Sequence, residues 1–244
     1  MKQYEAVIAT IERLGGIATL GQINHKIFQI QDCIWNTKTP YASIRRIVQT
    51  NENIYKLRPG LYALTKYRNI LEKQGIFPEI TAKKHPEKYD AFSHSYYQGL
   101  LLEIGNWKGF NTCVPAQDKN RLFIDRPLKT IASLDKLFDF SYPELVNRAS
   151  NIDVIWFNNR KLISSVFEVE HSTDMHNSLL KYNDLQDFYI EFYIVSNKNR
   201  IKEFSEKINY SAFNSIKTRV RFIDYDFVSK LHTKISELRA IGDI

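Results

Sequence analysis

Along the first fifty positions the apolar residues recur at helical spacing. Tyr4, Val7, Ile8, Ile11 and Leu14 lie three or four apart, which predicts an amphipathic helix over residues 4–14, ended by Gly15 and Gly16. Thr19 with Gln22 three positions later is a capping-box pattern and opens a short second helix through Ile23, Ile27 and Phe28. Thr39 and Pro40 suit the N-cap and first turn of a third helix, whose inward stripe is Ile44, Ile47 and Val48. Its other face carries Tyr41, Ser43, Arg45, Arg46 and Gln49. The period then drops to two. Residues 54–57 and 61–64 alternate as strands, and Pro59-Gly60 between them suits the centre of a type II turn.

Three helices and a hairpin predict a winged helix-turn-helix over residues 1–66. Residues 67–90, with Gly75, Pro78 and Pro86, read as a linker with some structure. Residues 91–244 form the second domain. A helix at 92–104 carries Tyr96, Leu100 and Glu103 at i, i+4 and i+7. Strands are expected at 110–115, 151–157 and 162–170, then a helix to 187 and an apolar strand at 188–195. A helix near 198–208, a strand near 219–223 and a last helix at 225–240 complete the chain. The class is α/β, α+β overall: an N-terminal winged helix-turn-helix plus a C-terminal mixed sheet flanked by helices.

Three acids break the apolar pattern of the second and third of these strands. Glu168 and Glu170 share one face of their strand, while Phe167 and Val169 share the other. Asp153 lies on the preceding strand. Carboxylates on a half-buried surface repel unless a cation lies between them, so the arrangement invites a divalent metal. The intervening turn decides whether Asp153 takes part. A two-residue Asn158-Asn159 turn would pair Asp153 with Ser164, leaving Glu168 roughly 13 Å farther along. A four-residue turn, 158–161, would pair it with Val166 and put Glu168 on the diagonal, roughly 7–8 Å away. A shared metal requires the longer turn.

Net charge is +7 over 244 residues, and it is unevenly placed. Residues 1–90 hold 14 Lys or Arg against 8 Asp or Glu, leaving 20 against 19 for the remainder. A basic module followed by a nearly neutral one suits a nucleic-acid docking domain joined to a second function. No run approaches the roughly 20 apolar residues of a membrane span, so a soluble, cytoplasmic protein with no membrane contact is expected. Cys33 and Cys113 match no zinc spacing and are expected as free thiols.

Residues 35–40, Ile44-Arg45-Arg46 and residues 55–64 together resemble the HARE type of winged helix. The resemblance implies docking on double-stranded DNA. The third helix, with Tyr41, Ser43, Arg45, Arg46 and Gln49, would enter the major groove, and Lys56 and Arg58 of the wing would touch the backbone. Residues 152–156, 167–173 and 178–185 resemble a PD-(D/E)xK restriction-endonuclease-like group with an Asp, Glu-Val-Glu and Leu-Leu-basic pattern, over residues 93–225. The resemblance implies phosphodiester hydrolysis with Mg2+ held by Asp153, Glu168 and the Val169 carbonyl.

The usual last residue of that core is Lys; here it is Glu170. The resemblance implies that Glu170 would be an extra ligand or a general base, and that Glu103 would orient water or bind a second metal. Lys181 reads as an exposed helix lysine and His171 as structural. Cutting both strands together calls for a homodimer, and a restriction system implies a cognate DNA methyltransferase. The alternatives are a DNA-binding regulator with an inactive nuclease-like domain, marked by Glu170, and an RNA nuclease.

Overall fold

The computed structural model describes residues 1–172 and 174–242. Thr173 of the Glu-Val-Glu motif lies outside the described residues. The chain divides into two compact units, Met1–Phe92 with the chain from Ser229 on, and Ser93–Val228.

The first unit runs α1 (Gln3–Arg13), β1 (Ile17–Thr19), α2 (Leu20–Lys26), α3 (Pro40–Thr50), β2 (Ile54–Arg58), β3 (Leu61–Leu64), α4 (Arg68–Lys73) and the start of α5 (Pro86–Trp107). The capping box forms as its sequence requires: the Gln22 amide donates to Thr19 Oγ1 at 3.1 Å, and the Thr19 amide to Gln22 Oε1 at 2.8 Å. Val7, Ile11, Ile23, Ile27, Ile44 and Val48 of the expected stripes build the core together with Ala6, whereas Tyr4 and Phe28, expected in the same stripes, are exposed. β2 and β3 pair across Pro59 and Gly60, whose φ of +69° is the left-handed value this turn needs. β1 adds antiparallel to β3. At three residues it is too short to show alternation. Residues 67–90, expected as a linker, hold α4 and the first turn of α5.

The second unit continues α5 and adds β4 (Asn111–Cys113), β5 (Leu122–Phe123), β6 (Arg126–Pro127), α6 (Pro143–Ala149), β7 (Val154–Phe157), β8 (Ile163–Glu170), α7 (Met175–Asn183), β9 (Glu191–Ser196), α8 (Ile201–Lys207), β10 (Val220–Asp224) and the start of α9 (Tyr225–Gly242). The sheet is mixed, in the order β10-β9-β8-β7-β4. β8 is central, antiparallel to β7 and parallel to β9. β8 is buried along nearly its whole length, so both of its faces are covered.

α5 approaches the sheet closely at Gly105, where a Cβ would stand 2.6 Å from both Trp156 Nε1 and Thr112 Cγ2. The helix runs through this glycine to Trp107, past the expected end at 104. The indole N–H of Trp156 in turn donates to the Leu101 carbonyl at 3.1 Å. On the other side of the sheet, Val166, Phe192 and Ile194 of the strands share one core with Leu179 and Tyr182 of α7 and with Phe213. Truncating a buried aromatic such as Phe192 costs about 3–5 kcal/mol. Both cysteines are buried and unpaired. Among the described residues no helix is long and apolar enough to cross a membrane.

Candidate active site

The two faces of β8 separate as strand parity requires. Phe167 lies with Trp156 and Tyr193, ring centroids 4.5 and 4.9 Å away. Glu168 and Glu170 lie on the face covered by α7. How Asp153 meets them is set by the β7–β8 connection, which differs from both expected turns. Phe157 pairs with Ile163, so the turn takes five residues, 158–162. It is closed by Asn158 N–H to Leu162 O at 2.9 Å and Lys161 N–H to Asn158 O at 2.9 Å. Asn158 Oδ1 also accepts the amides of Arg160 and Leu162. Lys161 takes the left-handed φ of +64°.

A bulge at Ser164 then shifts the register by one, so that Trp156 pairs with Ser165, Ile155 with Val166 and Val154 with Phe167. Continued by one residue, this register sets Asp153 directly across from Glu168 rather than on the diagonal. The Val169 N–H donates to Asp153 Oδ2 at 2.7 Å. A residue's N–H and C=O lie on the same edge of a strand, so the Val169 carbonyl also points toward Asp153.

α7 completes the acid face. Asp174 caps it, accepting the His176 amide at 3.0 Å. Ser178, Lys181 and Tyr182 then fall at i, i+3 and i+4, one helix face. Ser178 Oγ donates to Glu168 Oε2 at 3.2 Å and lies in short contact with Glu170 Oε1. Lys181 Nζ donates to both Glu168 oxygens at 2.9 Å and to the Asn151 carbonyl at 2.9 Å. Lys181 is thus bonded to the acid cluster, in contrast to the exposed helix lysine expected from sequence.

Glu168 is 3% exposed and Glu170 5%. Burial, and then the neighbouring Asp153, raise the pKa of Glu168 against the pull of Lys181. Burial works against the charge on Lys181, but Glu168 outweighs it and raises the lysine's pKa. Three acidic side chains, Asp153, Glu168 and Glu170, meet one lysine here. The donors are all oxygens, which suits a hard divalent cation such as Mg2+.

A second set of residues reaches Asp153 from the opposite direction. His94 and Gln98, four apart on α5, and Asp118 of the loop after β4 converge on it. His94 Nε2 lies 3.3 Å from Asp153 Oδ1 and 3.7 Å from Asp118 Oδ2. Burial disfavours the imidazolium, yet hydrogen bonds to Asp118 and Asp153 prevail and hold its pKa at about 10. Arg121 Nε pairs with Asp118 Oδ1 at 2.8 Å. Glu103 goes elsewhere: nine residues after His94 is two and a half turns, so it leaves the opposite side of α5. There it pairs with Arg126 at 2.7 Å. His171 packs against Tyr225, ring centroids 4.9 Å apart.

The expected DNA-facing residues of the first unit are also unequal. Arg46, Gln49 and Lys56 are exposed, and Ser43 is half-buried. Tyr41 is half-buried with its ring edge-on to Phe28, 5.7 Å between centroids. Arg45 lies 3.5 Å from Glu237. Arg58 is the exception, 2% exposed. Its guanidinium donates to the carbonyls of Leu57 and Phe77 at 2.7 Å and stacks 3.6 Å from the Tyr89 ring. The reason is local: Leu57 and Arg58 precede a turn that folds them under the segment containing Phe77 and Tyr89, so this arginine serves the fold.

Residues 77–243 match the family model described as the Type II restriction enzyme NmeDI C-terminal domain. The chain belongs to this family. The Type II restriction enzyme NmeDI of Neisseria meningitidis serogroup C is 30% identical over 154 residues, which cover 57% of this chain and 42% of that protein. The chain thus spans less than half the length of this relative. No solved structure matches the chain. Every member of the cluster, from His94 to Lys181, lies inside the NmeDI C-terminal domain match, whereas α1 to α4 precede it.

Proposed function

We propose that the chain is a restriction-type endonuclease that hydrolyses phosphodiester bonds of double-stranded DNA with magnesium. One observation carries the reading: the register of β7 on β8 sets Asp153 beside Glu168, with Lys181 bonded to Glu168. Asp153, Glu168 and the Val169 carbonyl are the groups to hold the ion. A bound divalent cation neutralises charge on the scissile phosphate and lowers the pKa of water.

The protein's own groups do the rest. Lys181 reaches from α7 to where the family resemblance expects a strand lysine at position 170; it fixes the Glu168 carboxylate and offers an ammonium to the phosphate. Glu170, held by Ser178, accepts the proton of the attacking water. Glu103, paired with Arg126 on the far side of α5, is left as a support of the β5–β6 hairpin. His171 is structural.

The N-terminal unit acts as the winged helix-turn-helix that reads the duplex. Ser43, Arg46 and Gln49 of α3 approach base edges, Tyr41 and Arg45 flank them, and Lys56 touches the backbone. A second copy of the chain supplies the cut on the opposite strand, and a cognate methyltransferase protects host DNA.

A second reading has an observation of its own. Lys181 straddles both oxygens of Glu168, as a cation substitute would in a silent site. On that reading the chain is a DNA-binding regulator. Incubating the protein with unmodified and base-modified duplex DNA, with and without Mg2+, separates the two. Magnesium-dependent cleavage that Glu168→Ala abolishes is expected; binding without cleavage on every substrate would leave the regulator.

A further inference from the structure

We infer that His94, Asp118 and Asp153 form a second divalent-cation position, one that prefers a transition ion such as Mn2+ over Mg2+. Asp153 is shared: its Oδ2 accepts the Val169 amide beside the Glu168 group, and its Oδ1 lies 3.3 Å from His94 Nε2. The inference stands whether or not the chain cuts DNA, because it concerns ion binding by the protein alone.

The geometry is that of a donor set. His94 Nε2, Asp118 Oδ2 and Asp153 Oδ1 all lie within 4.8 Å of one another. The two imidazole–carboxylate separations are 3.3 and 3.7 Å. Donors bound at roughly 2.1 Å stand roughly 3.0–3.4 Å apart in tetrahedral or octahedral sites, so the two imidazole–carboxylate separations are within a few tenths of an ångström of that range. Three separate segments supply the ligands: α5, the loop after β4 and the residue preceding β7.

The second indication is Gln98. The side chain is 0% exposed, and its amide is turned into this cluster: Nε2 donates to Asp118 Oδ2 at 2.8 Å and to the Asp153 carbonyl at 3.3 Å. Its Oε1 is buried beside them and meets no donor among the described residues. Buried amide oxygens are nearly always satisfied. A hydrated cation taking the place of the Nε2 proton between His94 and the two aspartates brings bound water, which supplies the missing donor. Gln98 would also hold Asp118 in place as an outer partner of the ion, the usual companion of a carboxylate ligand.

Selectivity follows from the donors. An imidazole with two carboxylates suits Mn2+ or Zn2+, whereas the all-oxygen group around Glu168 suits Mg2+. The two positions therefore differ in which ion fills them.

Mn2+ binding to the full chain, without DNA, tests this by electron paramagnetic resonance titration. The wild type is expected to take two ions and to show nitrogen hyperfine coupling from one imidazole. His94→Ala or Asp118→Asn should leave one ion and no nitrogen coupling. Glu168→Ala should also leave one ion, with the coupling intact. Should a variant fold poorly by circular dichroism, the nitrogen coupling of the wild type decides alone. Absence of that coupling at saturating Mn2+, or His94→Ala binding as many ions as the wild type with unchanged Kd, would overturn the site. Loss of DNA cleavage with both ions bound would count against the nuclease reading and leave this site standing.

Discussion

Lys181 Nζ sits 2.9 Å from each carboxylate oxygen of Glu168, joining α7 to the central strand at the acid cluster. Lys181→Met should therefore leave a buried carboxylate without its partner. Because the lysine side chain is a third exposed, screening limits the loss of stability to roughly 1–3 kcal/mol. Cleavage should fall far more, about 100-fold or beyond, while Lys181→Arg retains part of it. Single-turnover rates and thermal melts of the three proteins check this together.

Asp174 caps α7 and pairs with Lys207, which together with the His176 amide holds its carboxyl below the usual value of 3.8. A depressed folded-state pKa stabilises the fold at pH above 3.8 and loses that contribution as pH falls through the lower folded value. Asp174→Ala should lower Tm near neutral pH. The gap from wild type should close as the pH drops below 3.8, as read from melts across an acid series.

Arg46 and Arg58 should behave oppositely. Lys56→Ala is expected to weaken duplex binding several-fold and to lower its salt slope by about one, Arg46→Ala to weaken it by about 1–3 kcal/mol and relax its sequence preference, and both to leave Tm unchanged. Arg58→Ala removes buried hydrogen bonds to Leu57 and Phe77 and should cost about 2–4 kcal/mol of stability. Fluorescence anisotropy at several salt concentrations, with denaturant unfolding, separates the two effects.

Much of the first unit was legible because its signals are local. Thr19 with Gln22, Thr39-Pro40 and Pro59-Gly60 each act within four residues; the first and last form as read, and α3 starts at Pro40 as read although the Thr39 side chain makes no cap hydrogen bond. The same holds for the alternation of Phe167 to Glu170. The register that brings Asp153 to Glu168 was not legible. It depends on a left-handed Lys161, where glycine or asparagine would have given notice, and on a bulge at Ser164 in an otherwise regular strand.

His94 and Gln98 carry only an i, i+4 spacing inside an apolar helix, common for ordinary core contacts, and Asp118 sits in a loop with no periodicity. The burial of Arg58 depends on Phe77 and Tyr89, nineteen or more residues away. The reach of Lys181 depends on how α7 lies across β8, which a helix pattern does not encode.

The turn itself offers a test. Lys161 holds φ +64°, a conformation that costs an L-residue with a side chain more than it costs glycine. Lys161→Gly should raise stability by about 0.5–1 kcal/mol without altering the site, whereas Lys161→Val should lower it. Denaturation midpoints of the pair decide the sign.

The central claim is that Asp153 and Glu168 act together in metal-assisted cleavage of duplex DNA. Digestion of supercoiled plasmid by wild type, Asp153→Asn and Glu168→Gln, in Mg2+ and in chelator, tests it most directly. Cutting is expected from the wild type only, and only with Mg2+. Equal cutting by either variant, or cutting in chelator, would contradict it.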